Sequence, residues 1–196
     1  MVRRVVLASA SPARLQLLRD AGLAPEVVVS DVDETAVDLA DAWELVETLA
    51  VAKATAVAVD TDDAIVIGCD SMLVFDGETL GKPADAATAR HRWERMRGRT
   101  GTLLTGHCVI DTASGRSERG VADAVVQFAA VTDAEIAAYV ASGEPLAVAG
   151  AFTLDGRSAP FVERIEGHPS TVIGLSLPLL RDLLARLGVP LVDLWC

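Results

Sequence analysis

The sequence predicts an α/β fold built on a mixed, twisted sheet, and three observations carry that expectation. Short apolar runs of strand character alternate with amphipathic helical stretches along the whole chain. The run IVIGC at 65–69 is continuously apolar, as expected of a strand buried on both faces. Asp76-Gly77 is a hairpin signal between two strand-like stretches, which adds an antiparallel pairing to an otherwise βαβ order.

The elements follow in order. VVLAS at 5–9 reads as a short buried strand. PARLQLLRDAGL at 12–23 reads as a helix with Leu15, Leu18 and Ala21 on one stripe and Gly22 as its stop. A long helix is expected from about Leu39 to Val59, with Trp43, Val46, Ala50, Lys53 and Val57 spaced along one face. IVIGCD then forms a strand ending at Asp70, MLVF and the stretch from Glu78 flank the hairpin turn, and a helix spans about Asp85 to Arg97. TLLTGHCVI and VADAVVQFAAV are two further strands around the turn-rich TASGRSERG. Thr132 and Glu135 form a capping box for the helix AEIAAYVAS, closed by Gly143. Loop and strand follow through AGAFTLDGRSAPFVERIEG, and a last helix runs from about Pro178 to Leu187, closed by Gly188.

Composition narrows the function classes. The 196 residues suffice for one sizeable core, and a single domain over 1–196 is expected. The net charge of −11 disfavours nucleic acid and anionic membranes as partners, since both attract basic surfaces. No apolar run approaches the roughly 20 residues that span a bilayer, and the N-terminal apolar stretch is too short for a signal peptide. A cytoplasmic location is expected. Cys69, Cys108 and Cys196 lack metal-ligand spacing and read as small core or tail residues.

The chemistry concentrates in a few places. In Ser9-Ala10-Ser11-Pro12-Ala13-Arg14, Ser11 is a good N-cap and Pro12 a good first helical residue. Arg14 takes the position where a capping box would place an acid, so a cation faces the positive end of the helix dipole. That arrangement suits either an ordinary capped helix with a solvated arginine or a phosphate cradle of backbone N–H groups, two hydroxyls and a guanidinium. Lys53 interrupts an apolar stripe and either snorkels to the surface or points at an anion. Asp70, at the carboxyl end of its predicted strand, is either a turn carboxylate or a group that holds metal or orients water. Glu34 in DVDET is either an ordinary first-turn acid behind an Asp33 cap or a second metal ligand. Lys82 stands between Gly81 and Pro83, either in a plain surface turn or as a third anion ligand.

These segments, LASASPARLQLLRDAGL, DVDE, LAVAKA, IGCDSMLVFDGETLGKPAD, TGH, AGAFTLDG and EGHPSTVIGLSLPLL, resemble the Maf-like proteins in order and over nearly the whole chain. The resemblance implies a Maf/inosine-triphosphatase-like fold with two lobes around a cleft, a homodimer, and hydrolysis of nucleoside triphosphates to the monophosphate and pyrophosphate with Mg²⁺ or Mn²⁺. It implies phosphate contacts for Ser9, Ser11, Arg14, Lys53 and Lys82, and metal or water contacts for Glu34 and Asp70, with Asp70 as proton acceptor or metal ligand. Three positions that face the base in the pyrimidine-type branch differ here: Ala13 replaces an arginine, Ser71 a threonine and Asp155 a glutamine. The nucleobase, whether pyrimidine, modified or non-canonical, therefore stays open. The alternative is a nucleotide-binding regulator of cell division with incidental hydrolysis. Two acids beside three cations favour the enzyme, because a mere binder has no need of the carboxylates.

Overall fold

The computed structural model describes residues 3–37 and 39–196. The chain divides into two compact units, the first made of 1–70, 105–122 and 174–196 and the second of 71–104 and 123–173. Its strands are β1 (Arg4–Leu7), β2 (Glu26–Val27), β3 (Ala64–Phe75), β4 (Glu78–Leu80), β5 (Thr100–Asp111), β6 (Arg116–Phe128) and β7 (Val162–Gly167). Its α-helices are α1 (Pro12–Asp20), α2 (Ala42–Ala58), α3 (Ala86–Met96), α4 (Asp133–Ala141), α5 (Pro169–Ile173) and α6 (Leu177–Leu187). The strand order is β2-β1-β3-β5-β6-β7, with β4 also on β3. β1 pairs parallel with β2 and β3, whereas β3–β4 and β6–β7 are antiparallel, so the sheet is mixed as expected.

In the first unit, strand alternation sorts the core into two faces. Val5, Leu7, Ile65, Ile67 and Cys69 pack with Leu18 of α1 and with Leu180, Leu183 and Leu184 of α6. Val6, Ala8, Ala64, Val66 and Cys108 pack with Ala50, Ala54 and Val57 of α2. This two-sided burial is why IVIGC is apolar at every position. Cys69 and Cys108 are thus core residues of opposite faces, and Cys196 is exposed.

Two glycines set the depth of α2. A Cβ on Gly68 would lie 2.4 Å from the Ala50 carbonyl oxygen, and one on Gly106 would lie 2.1 Å from that of Val46. The helix backbone therefore rests directly on β3 and β5, which no other residue type permits. Its buried face is Val46, Leu49, Ala50, Lys53, Ala54 and Val57. Trp43, expected on that face, is 46% exposed, because the first turn extends beyond the packing surface.

The second unit has an aromatic core. Trp93 of α3 meets Phe128, Tyr139 and Phe161 edge-to-face at centroid distances of 5.6–5.7 Å, and its indole N–H donates to the Ala151 carbonyl at 2.8 Å. The capping box forms as read, with the Glu135 carboxylate accepting from the Thr132 N–H at 2.7 Å. Asp76 and Gly77 both take positive φ, at 52° and 80°, which a two-residue hairpin turn of this hand requires.

Several boundaries differ from the sequence reading, among them that of β6, which begins at Arg116 inside the stretch read as a turn. β3 does not stop at Asp70 but runs on to Phe75, because alternating Leu73 and Phe75 continue it as an antiparallel partner of β4. α5 lies where no helix was expected, since five residues are too few to show a helical period.

Candidate functional site

The first unit gathers six of the expected site residues into two adjoining groups. In one, β1 gives way to the turn at 8–11 and α1 begins. Ser11 caps that helix as expected, its hydroxyl accepting from the Arg14 N–H at 3.4 Å, with Pro12 in the first turn. The buried Ser9 hydroxyl accepts from the Ser11 N–H at 3.2 Å.

The Arg14 side chain folds onto the protein. Its Nε donates to the Gly174 carbonyl at 2.7 Å, and one terminal nitrogen donates to the Cys69 carbonyl at 2.9 Å and to Ser9 Oγ at 3.1 Å. Sequence spacing carried no sign of these partners, since Gly174 lies 160 residues away.

The second group is built on the α2 face of β3. Gly68 and Asp70 share that face, two residues apart, and Lys53 lies one turn beyond Ala50 on the helix that Gly68 admits. Lys53 Nζ donates to Asp70 Oδ1 at 2.6 Å and pairs with Glu34 Oε1 at 2.7 Å. Lys53 and Asp70 are buried, whereas the Glu34 side chain is about half exposed. Lys53 does not snorkel to the surface, and its buried ammonium bridges two carboxylates. Glu34 opens a short 3₁₀ turn capped by Asp33, whose carboxylate accepts from the Thr35 N–H at 3.0 Å.

Burial raises the Asp70 pKa above the ordinary aspartate value, and the Lys53 and Arg14 charges oppose that rise only in part. Asp70 Oδ2 is buried and accepts no hydrogen bond among the described residues. An orphaned buried carboxylate oxygen is costly, so it marks a position with an unfilled task. Among the described residues no group of three or more His, Cys, Asp or Glu is gathered in metal-ligating proximity. The pair Glu34 and Asp70 nonetheless fits a hard divalent ion of the Mg²⁺ kind, which is commonly held by one or two carboxylates and completed by phosphate oxygens and water.

Ser71, Lys82 and Asp155 belong to the second unit. Ser71 follows Asp70 on β3 and is half-buried. Lys82 is exposed between Gly81 and the buried Pro83. The exposed Asp155 accepts a short hydrogen bond from the Thr153 hydroxyl. Its loop is pinned by Ser158, whose hydroxyl accepts from the Thr153 N–H and donates to the Thr153 carbonyl, both at 2.9 Å.

One residue of this region had no role assigned from sequence. His107 on β5 is fully buried, with Nδ1 at 3.0 Å from the Thr105 carbonyl and Nε2 accepting the Ser176 N–H at 2.8 Å. A carbonyl on one side and an N–H on the other require the neutral ring with its proton on Nδ1. Burial first, and the Arg14 charge second, lower its pKa to about 4. Ser176 caps α6, so His107 holds the entry to that helix. The glycine before it, Gly106, was the available signal, as an isolated glycine inside a strand marks close backbone approach.

No helix among the described residues is long and apolar enough to cross a membrane. The chain is similar to curated proteins named nucleoside triphosphate pyrophosphatase. That of Streptomyces coelicolor is 65% identical over 98% of this chain and 95% of the relative. That of Salinispora tropica is 59% identical over 98% and 87%, and that of Thermosynechococcus vestitus 56% over 96% and 96%. Among solved structures, the Staphylococcus aureus Ham1 protein aligns distantly, at TM-score 0.46 and 15% identity over 65% of this chain and 73% of that one. The profile of the Maf-like proteins matches residues 4–187, so the segments spread from LASASPAR to the last helix are one family pattern, and the chain belongs to the Maf-like protein family.

Proposed function

We propose that this protein is a nucleoside triphosphate pyrophosphatase that cleaves its substrate to the monophosphate and pyrophosphate. The observation that carries the reading is the buried Lys53–Asp70 pair with Glu34 on the same ammonium and Asp70 Oδ2 left without a partner. The name borne by relatives up to 65% identical supports the same reaction.

Asp70 has the properties of a proton acceptor for water. Burial makes it a stronger base than an exposed aspartate, while Lys53 holds Oδ1 and so fixes the direction in which Oδ2 points. Lys53 also places a positive charge where negative charge grows on the phosphate during attack. Ser9, Ser11 and the first N–H groups of α1 supply donors for phosphate oxygens. Glu34 would hold Mg²⁺ or Mn²⁺, joined by Asp70 if Asp70 serves as metal ligand in place of proton acceptor. Such an ion supplies charge neutralisation at the phosphate oxygens when bound. Phosphate contact by Lys82 and base contact by Ser71 and Asp155 are proposed on the family resemblance alone. The same holds for a homodimer and for a cytoplasmic location.

The test is pyrophosphate release from a panel of canonical and modified nucleoside triphosphates with Mg²⁺ or Mn²⁺. Wild type is expected to release pyrophosphate, and Asp70→Asn to lower the rate at least ~100-fold, as loss of a general base does. No release from any triphosphate, or full activity in Asp70→Asn, overturns the reading.

A further inference from the structure

The loop 153–158 of the second unit is pinned from within and from outside. Within it, the fully buried Ser158 closes the base on both backbone groups of Thr153, and the Thr153 hydroxyl donates to the Asp155 carboxylate. The outside pin is Glu144, which opens the 3₁₀ turn 144–147 after α4. Both of its carboxylate oxygens accept the Arg157 N–H, at 2.9 and 3.1 Å.

The surroundings are fitted to this contact. A Cβ on Gly156 would stand 2.6 Å from Glu144 Oε1 and 2.8 Å from both Glu144 Cδ and Thr153 Cγ2, so the carboxylate occupies space that only a glycine leaves. Glu144 also stands on a firm base. Its N–H donates to Ser142 Oγ at 3.3 Å, the Ser142 hydroxyl donates to the Tyr139 carbonyl at 2.6 Å, and the Tyr139 ring lies in the aromatic core against Trp93 and Phe161.

The choice of donor is informative. The Tyr139 hydroxyl is buried beside Ser158 and Glu144, yet it forms no hydrogen bond. Leaving a buried donor unmet is costly. The Glu144 carboxylate nonetheless serves the N–H of an exposed loop residue, which water could serve instead. Satisfying a donor therefore does not account for the contact, and what it adds is a fixed place for the loop tip. Thr153 fixes the Asp155 side chain relative to the loop, and Glu144 fixes the loop relative to α4.

We propose that Glu144 is a positioning residue for base selection: by holding the Arg157 N–H it fixes the loop 153–158 and, through it, the Asp155 carboxylate that meets the nucleobase. This rests on the base contact proposed above for Asp155. An ionised carboxylate only accepts hydrogen bonds, so in a fixed place it separates bases that offer a donor there from bases that offer an acceptor. On a loose loop it moves aside for either. Freeing the loop should thus blunt the choice of base and leave the attack on phosphate unchanged.

The experiment measures kcat and KM for pyrophosphate release from each canonical nucleoside triphosphate, and amide exchange at Arg157 and Ala159. The variants are Glu144→Ala, Glu144→Gln and Gly156→Ala, whose added methyl displaces the carboxylate while Glu144 stays in the chain. Rates are normalised to folded protein. Expected for Glu144→Ala and Gly156→Ala is exchange at least ~10-fold faster. The ratio of kcat/KM between the best and the worst base should move at least ~5-fold closer to one, through KM, with kcat on the best base within ~3-fold of wild type. The double variant should lose no more discrimination than either single one. Glu144→Gln keeps an amide oxygen for the N–H and should restore most of both properties. Wild-type exchange or wild-type discrimination in Glu144→Ala, or equal kcat/KM for all bases in wild type, overturns the proposal. Full discrimination in Asp155→Ala overturns it through the base contact, while the pyrophosphatase reading stands. No release by wild type sinks the pyrophosphatase reading and base selection with it, and the exchange measurement then still decides whether Glu144 fixes the loop.

Discussion

Replacing Gly68 with alanine would test whether the seat of α2 sets the geometry at Asp70. The added Cβ would stand 2.4 Å from the Ala50 oxygen, 2.7 Å from the Ala54 nitrogen and 2.8 Å from the Ala54 Cβ. Relaxed contacts of this kind lie near ~3.5 Å, so α2 has to withdraw from β3 by ~1 Å. Two of the three opposing atoms are backbone, and no rotamer change relieves them. Overpacking of this sort costs about 1–3 kcal/mol, and a rigid helix puts the cost toward the upper end. Lys53 moves with the helix, and its 2.6 Å bond to Asp70 opens to a separation at which a hydrogen bond is largely lost. The assay pairs urea unfolding with pyrophosphate release. Gly68→Ala should unfold at lower urea with an unchanged m-value, and kcat should fall at least ~10-fold. A variant within about 0.5 kcal/mol of wild type and with wild-type kcat would refute the argument that this glycine positions the lysine.

Two further outcomes concern pH. Folded His107 stays neutral until about pH 4, whereas the unfolded residue takes up its proton near the ordinary 6.5. Below 6.5 the unfolded state binds more protons, so stability falls as pH drops from 6.5 toward 4. The rate is ~1.4 kcal/mol per pH unit and ~3 kcal/mol in all. His107→Gln should be less stable at neutral pH but lack this component, and identical slopes in urea unfolding from pH 7 to 4.5 would count against it. The Asp111 pKa is lowered too, by pairing and not by burial. The Arg3 hydrogen bond, assisted by Ser114, holds it at about 2 against an ordinary 3.8. Its contribution is full above 3.8 and is lost as pH falls from there to about 2. Arg3→Ala should therefore raise the midpoint of acid unfolding, and an unchanged midpoint would show that the pair contributes nothing.

Local signals were legible where local chemistry decides. Ser11-Pro12, the Thr132/Glu135 box, Asp76-Gly77 and Gly188 each mark an end or a turn through bonds within a few residues, and each stands where the sequence puts it. The inward reading of Lys53 was available but undecided, because the choice depended on two carboxylates 17 and 19 positions away along the chain. Strand length was misread at Asp70, since the pattern changes there from two-sided to one-sided burial and imitates an ending. The stretch 144–161 holds three short 3₁₀ turns joined by irregular chain, which have no hydrophobic period to read. Arg14 could be recognised as an oddly placed cation, but its partners come from β3 and the start of the last segment, which only the fold brings near.

The two buried cysteines give the first unit a pair of internal clocks. Cys69 faces the α1 and α6 side of the sheet and Cys108 the α2 side. Burial pushes their thiols up to about 12 and about 11, so neither reacts with an alkylating reagent while its layer is closed. Once the exposed Cys196 has been consumed, the rate at which each remaining thiol is modified counts how often the helix layer above it lifts. The two faces of one sheet can then be timed separately, in a single sample, without introducing a probe.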